Sequence, residues 1–139
     1  MRATDHALLA RVRGSLRALD QAIEAGSKVV GLTVQQQAFL LALAARGGTH
    51  VPLAEVRTDL AMDQATMSEM LGRLIRRGLV AREVGADRRA VDVSLTGAGR
   101  ARYQRSVRAI GREIRVAKAS GELDGLQRNL REYLAFYTK

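Results

Sequence analysis

Apolar positions recur at helical spacing along most of the chain, and the rhythm changes only once. Over about residues 4–24, Leu8, Val12, Leu16, Leu19 and Ile23 repeat at steps of four and three, which predicts an amphipathic helix broken by Gly26-Ser27. Thr33-Val34-Gln35-Gln36 has the form of a capping box, in which the threonine hydroxyl accepts from the Gln36 amide while the glutamine side chain reaches back. It predicts a second helix through Arg46, with Phe39, Leu40 and Leu43 inward and Gly47-Gly48 as its end. Pro52 then precedes a short helix over about residues 53–60, with Leu53, Val56 and Leu60 as its inner stripe. The next helix is the best specified. Asp63 is placed as N-cap, Met62 and Met67 as a hydrophobic staple, and Met67, Met70, Leu71 and Leu74 share one face. Arg76 and Arg77 suit the negative end of the helix dipole, and Gly78 suits the left-handed stop.

Beyond Gly78 the period shortens to two. Val80 and Val84 alternate with polar neighbours, as do Val91, Val93 and Leu95, with a glycine-containing loop between the runs, which reads as a β-hairpin. Thr96 caps a long fifth helix carrying Tyr103, Val107, Ile110, Ile114 and Ala117. Ser120-Gly121 interrupts, and a last helix repeats Leu123, Leu126, Leu130, Tyr133 and Tyr137. These apolar seams at both chain ends exceed what one small core needs and predict helix–helix dimerisation surfaces. The expected fold is mainly α with a small β-hairpin wing: a winged helix-turn-helix over residues 33–96, flanked by dimerisation helices at 1–32 and 97–139.

Charge sharpens this picture. The 139 residues carry 23 Lys+Arg against 14 Asp+Glu, and between Arg73 and Arg115 stand twelve arginines against four acids. So concentrated a basic block predicts a polyanion partner. The absence of cysteine removes thiol nucleophiles, thiol redox sensing and thiolate metal sites. His6 and His50 are isolated in sequence and offer no metal-ligand spacing; His50, beside Pro52, reads as a turn residue rather than a base. No glycine-rich phosphate loop follows a strand, so no enzyme and no cofactor are expected. The polar N-terminal stretch and the short apolar runs point to a cytoplasmic protein without a membrane span.

A helix, a turn, a helix with exposed polar residues and a hairpin with arginines at its tip form a layout suited to reading double-stranded DNA. The second helix fits the major groove, where each base pair shows a distinct donor and acceptor pattern. The hairpin arginines suit the narrow minor groove beside it. Gln64, near the start of the reading helix, can pair with adenine through its amide.

The chain also resembles the multiple-antibiotic-resistance regulator (MarR) family. Gly78-Leu79-Val80-Ala81-Arg82, then Asp87-Arg88-Arg89, then Leu95-Thr96-Gly97-Ala98-Gly99 look like its Gly-Leu-Val-x-Arg, Asp-x-Arg and Leu-Thr-x-x-Gly signature, in order. Leu32-Thr33, followed by Gln36 or Gln37 and Leu40, is similar to its usual opening of the second helix. The resemblance implies a homodimeric, sequence-specific transcriptional regulator, a repressor in expectation, that responds to a small aromatic effector. It implies that Thr66 and Ser68 touch phosphate or base edges, that Arg73 contacts DNA, that Arg89 enters the minor groove and that Asp87 holds the wing arginines. Arg76 and Arg88 complete the expected contact set.

Three positions depart from the family pattern. Glu69 replaces a basic or neutral residue, and could accept from a cytosine amino group or pair with Arg73 one turn on. Gly72 replaces a frequent acid, and Ile75, replacing a frequent glutamate, is expected to extend the buried face. The wing loop is also about one residue short of the family's. The competing expectations are an architectural protein that coats DNA by charge, and a winged helix turned to protein contacts.

Overall fold

The computed structural model describes residues 1–84 and 89–138. Helix α1 spans Ala3–Val29, α2 Val34–Ala45, α3 Leu53–Leu60, α4 Gln64–Arg76, α5 Gly97–Ala119 and α6 Leu126–Tyr137. Strands β1 (Val51–Pro52), β2 (Val80–Val84) and β3 (Val91–Leu95) form one antiparallel sheet in the order β1-β3-β2. The expected hairpin is β2–β3, with Val80 opposite Leu95 and Val84 opposite Val91. Strand β1, which pairs Val51 with Val93, is an addition that sequence reasoning did not contain. Two residues are too few to show a period.

Local chemistry accounts for the helix ends. The Thr33 hydroxyl accepts from the Gln36 amide at 3.1 Å, and the Gln36 side chain accepts from the Thr33 amide at 3.0 Å. Gly47 and Gly48 follow α2 with φ of +92° and +75°. Thr96 accepts from the Gly99 amide at 2.9 Å to start α5, and its hydroxyl donates to the Gly78 carbonyl at 2.6 Å. Gly78 itself, at φ +71°, ends the α4 segment as expected. Phe39, Leu40, Leu43, Val56, Leu74 and Val93 are fully buried and join α2, α3, α4 and the sheet into one core.

Helix α1 corrects the expectation of a break at Gly26-Ser27: it continues through both to Val29. Gly26 is a point of close approach. A Cβ there would lie 2.5 Å from the Ile110 backbone, so α1 and α5 cross almost in backbone contact. The Ser27 hydroxyl is satisfied within the helix, donating to the Ile23 carbonyl at 2.7 Å.

The expected α1 seam also divides. The face buried inside the chain is Leu8, Val12, Ser15, Ala18, Ala22 and Gly26, mostly small side chains that let helices approach. Leu16 is 38% exposed, and Leu19 and Ile23 are only half buried. The same split marks α5, where Ser106, Ala109 and Ala117 are buried while Tyr103, Ile110 and Ile114 are half buried and Val107 is exposed. On α6, Leu134 and Tyr137 are exposed. Leu123 lies before that helix, in the turn that follows Ser120-Gly121. A single chain thus leaves its larger terminal apolar side chains only partly covered.

Two smaller corrections concern exposed apolar residues. Ile75 does not extend the buried face of α4 but is 37% exposed. Val84 is 78% exposed, because β2 runs out beyond the core and only its base is covered. Among the described residues no single helix is long and apolar enough to cross a membrane.

Candidate nucleic-acid interface

The reading helix is set by a tight turn. Ala61 closes α3 in the left-handed region at φ +50°, and Arg57 reaches over the turn, its Nε donating to the Met62 carbonyl at 3.2 Å. Asp63 then caps α4: Oδ1 accepts the Thr66 amide at 2.7 Å, and Oδ2 accepts the Thr66 hydroxyl at 3.0 Å. Met67, Leu71 and Leu74 face inward. That rotation leaves Thr66, Glu69, Arg73 and Arg76 exposed on the opposite side, and Gln64 and Ser68 exposed on the flank beside the buried face.

These six side chains are not equally available. The Thr66 hydroxyl already serves the cap. Arg73 and Glu69 form an ion pair at 2.6 Å one turn apart, the pairing that was one of two expectations for Glu69. Such exposed pairs are worth little and exchange easily, so both groups stay open to DNA. Arg76 has no acceptor among the described residues. Arg77 is tied back to α2, its Nη1 donating to Gln36 Oε1 at 3.2 Å. A Cβ on Gly72 would meet only the Arg76 guanidinium, at 3.4 Å, so packing within the chain does not demand a glycine there.

Between α4 and the wing lies a cleft of about 310 Å³ whose walls include Gln64, Ser68, Arg57, Arg82 and Arg89. Two residues expected to face bases therefore share a cavity with three guanidiniums drawn from α3, β2 and the end of the wing loop. Arg57 and Arg82 were absent from the expected contact set. Their convergence is spatial, although Arg82 does sit in the Gly-Leu-Val-x-Arg motif. Asp87 and Arg88 lie outside the described residues.

Toward the outer end of the wing strands, β pairing sets Glu83 directly opposite Asp92, a like-charge arrangement that is unfavourable alone. His50, in the left-handed region at φ +49°, brings Nδ1 to 2.8 Å from Glu83 and 3.9 Å from Asp92. Its amide donates to Ser94 Oγ at 2.8 Å, and that hydroxyl donates to Glu83 at 2.8 Å. His50 is a turn residue, as expected, but also the tie between β1 and the wing. Nearby, Arg46 joins α2 to α3 through Asp59 and Glu55, each at 2.7 Å.

The cap makes the reading helix sensitive to acid. The Thr66 amide and then its hydroxyl hold Asp63 below its ordinary range, and the Arg46 guanidinium does the same for Asp59. A depressed carboxylate stabilises the fold above its unfolded pKa of about 3.9, and that contribution is lost as pH falls through the lower folded value. Asp63→Ala should therefore melt below the wild type at neutral pH, and the gap should narrow as pH approaches 3. Paired thermal melts across that range measure it, and a gap independent of pH would remove Asp63 from the cap.

A family model described as MarR family matches residues 30–90. A probable transcriptional regulator from Pseudomonas aeruginosa is 34% identical, over 88% of this chain and 92% of its own, with a TM-score of 0.66. The Mycobacterium tuberculosis transcriptional regulator MosR, solved in complex with DNA, is 26% identical over 89% and 88%, with a TM-score of 0.65. A mutant Escherichia coli MarR complexed with operator DNA shares the fold at a TM-score of 0.73, with 21% identity over 95% and 93%. Among curated proteins, none matches the sequence. With a family model over its central winged-helix segment and a 34%-identical relative matched over nearly its whole length, the chain belongs to the MarR family of transcription regulators.

Proposed function

We propose that this chain binds double-stranded DNA sequence-specifically, as a homodimer on a pseudo-palindromic operator, and represses transcription there. The observation that carries the reading is the cleft in which Gln64 and Ser68 of α4 stand beside Arg57, Arg82 and Arg89. An amide and a hydroxyl suit base edges in the major groove, whereas guanidiniums suit phosphate and the minor groove. The relatives crystallised with DNA support the same reading.

The partly covered apolar side chains of the two terminal helices, Leu16 and Leu19 on α1 and Leu134 and Tyr137 on α6, support the dimer. Light scattering should report twice the chain mass, and Leu130→Glu should give monomer or unfolded chain, because an obligate dimer has little folded monomer to fall back on. A clean wild-type monomer would sink it. Two-fold symmetry then requires inverted half-sites about 34–36 Å apart, so that both reading helices meet one face of the duplex. Footprinting on promoter fragments retained from the genome of origin tests this. A protected region lacking an inverted repeat would favour the architectural reading.

Release by a small aromatic or phenolic ligand completes the proposal. A groove of about 480 Å³ between α1, α2 and α5 is walled by Ile23, Leu41, Tyr103, Val107 and Ile114, with the Gln37 amide as its polar group. A ring with one hydroxyl suits that lining. Arg11, Arg13 and Arg17, the arginines of α1 that could pair with a ligand carboxylate, are exposed, and none of them lines this groove.

A further inference from the structure

The basic block between Arg73 and Arg115 reads in sequence as one feature, but the fold separates it. Arg73, Arg76, Arg77, Arg82 and Arg89 lie on α4 or the wing, whereas six arginines belong to α5. Two of those six serve the lobe beside them. Arg102 donates to the Val30 carbonyl at 3.0 Å, and Arg100 lies across Gly48. The other four, Arg105, Arg108, Arg112 and Arg115, are exposed and have no acceptor among the described residues. Their spacing of three, four and three places them on one face, about a third of a turn round from the Ser106–Ala109–Ala117 side buried within the chain. The only acid on α5, Glu113, lies instead in a cleft shared with Ala18, Gln21 and Ala22 of α1. Like charges at such spacing destabilise a bare helix, and nothing described within the chain offsets them.

We infer that the outer face of α5 is a second DNA-binding surface, one that grips the phosphate backbone of a separate duplex while α4 and the wing hold the first. The inference rests on the DNA-reading proposal above. Chemistry selects the partner. Arginine forks match phosphate oxygens in pairs. Single-stranded nucleic acid would call for aromatic platforms, and Tyr103, the aromatic of α5, lies on the apolar side that lines the α1–α2–α5 groove. A protein partner would call for aromatic or several large apolar anchors among the charges, and this face offers a single exposed aliphatic, Val116, beside Ala101 and Gln104. The stripe is about 15 Å long at 1.5 Å per residue, a span over which duplex DNA presents about nine charges on its two strands. Tyr103, Val107, Ile110 and Ile114, which wall the proposed effector groove, lie on a different side of α5, so an effector bound there does not compete for the stripe.

The test is a two-duplex capture. Full-length protein is loaded on an immobilised random-sequence duplex at about 50 mM salt, and a fluorescent second duplex is then offered. Wild type should retain the second duplex. The variant with Arg105, Arg108, Arg112 and Arg115 all changed to Gln should load on the first and release the second. The milder pair Arg108→Gln and Arg112→Gln should lower the log–log salt slope for the second duplex by about two units, at about 0.9 per charge removed. Melting curves confirm that both variants fold, as exposed positions lead one to expect. Wild type that captures the first duplex but holds no second, or a fourfold variant that bridges as well as wild type, overturns the inference and leaves the reading head untouched. Wild type that captures no immobilised duplex overturns the DNA-reading proposal itself.

Discussion

Gly99→Ala should destabilise the fold by at least about 3 kcal/mol, lowering the melting temperature on the order of 10 °C. A Cβ at position 99 would overlap the Leu79 carbonyl oxygen and lie 2.8 Å from its carbon. Both are backbone atoms, so no rotamer change relieves the overlap, and the first turn of α5 would have to lift from the base of the wing. That junction already carries two bonds that depend on the approach: the Thr96 hydroxyl to the Gly78 carbonyl at 2.6 Å, and the Thr96 amide to the Leu79 carbonyl at 3.2 Å. Gly72→Ala is the internal control. Its Cβ would meet only the end of the flexible Arg76 side chain, and alanine is the better helix former by roughly 1 kcal/mol. Gly72→Ala should therefore be neutral or stabilising. If the two variants melt alike, the close contact at Leu79 is not what holds the wing.

The contrast between these glycines shows where sequence reasoning reached and where it stopped. Thr33, Asp63 and Thr96 were legible as caps because a cap is local: the acceptor and the amides it serves lie within three residues. Gly78 was legible for the same reason. Gly26 was not, because a glycine that ends a helix and a glycine against which another helix packs look alike until the second helix is in place. The α1 and α5 seams were legible as apolar stripes, but which of their side chains the single chain itself buries was not. Large apolar residues at steps of three and four draw the eye, yet the chain buries the small ones beside them and leaves Leu16 and Val107 exposed. In the candidate site, Gln64 and Ser68, four apart, could be placed together on one flank of the reading helix, and Glu69 and Arg73 on another, from their spacing alone. Arg57 and Arg82 join Gln64 only through the folding of α3, α4 and β2 around one cleft, and the tie from His50 to Glu83 spans 33 residues of sequence.

Separate substitution of the helix and wing groups should give two different losses of DNA affinity. Gln64 stands one residue after the Asp63 cap, where a helix entering the major groove tip-first meets base edges. If its amide pairs with adenine, Gln64→Ala should cost roughly 1–3 kcal/mol on the operator, about 5- to 150-fold in affinity. It should cost little on scrambled DNA, where no contact depended on sequence. Arg82 and Arg89 sit across the same cleft and carry charge rather than a base-specific pattern. Replacing either with alanine should weaken operator and scrambled duplexes alike and flatten the log–log salt dependence by about one unit per phosphate contact removed. Titrating the variants against both duplexes at several salt concentrations separates the two behaviours. Equal losses for Gln64→Ala on both duplexes would mean that the helix reads phosphate rather than bases. No loss for Arg82→Ala and Arg89→Ala would mean that the wing stands clear of the DNA and that the cleft between them serves some other ligand.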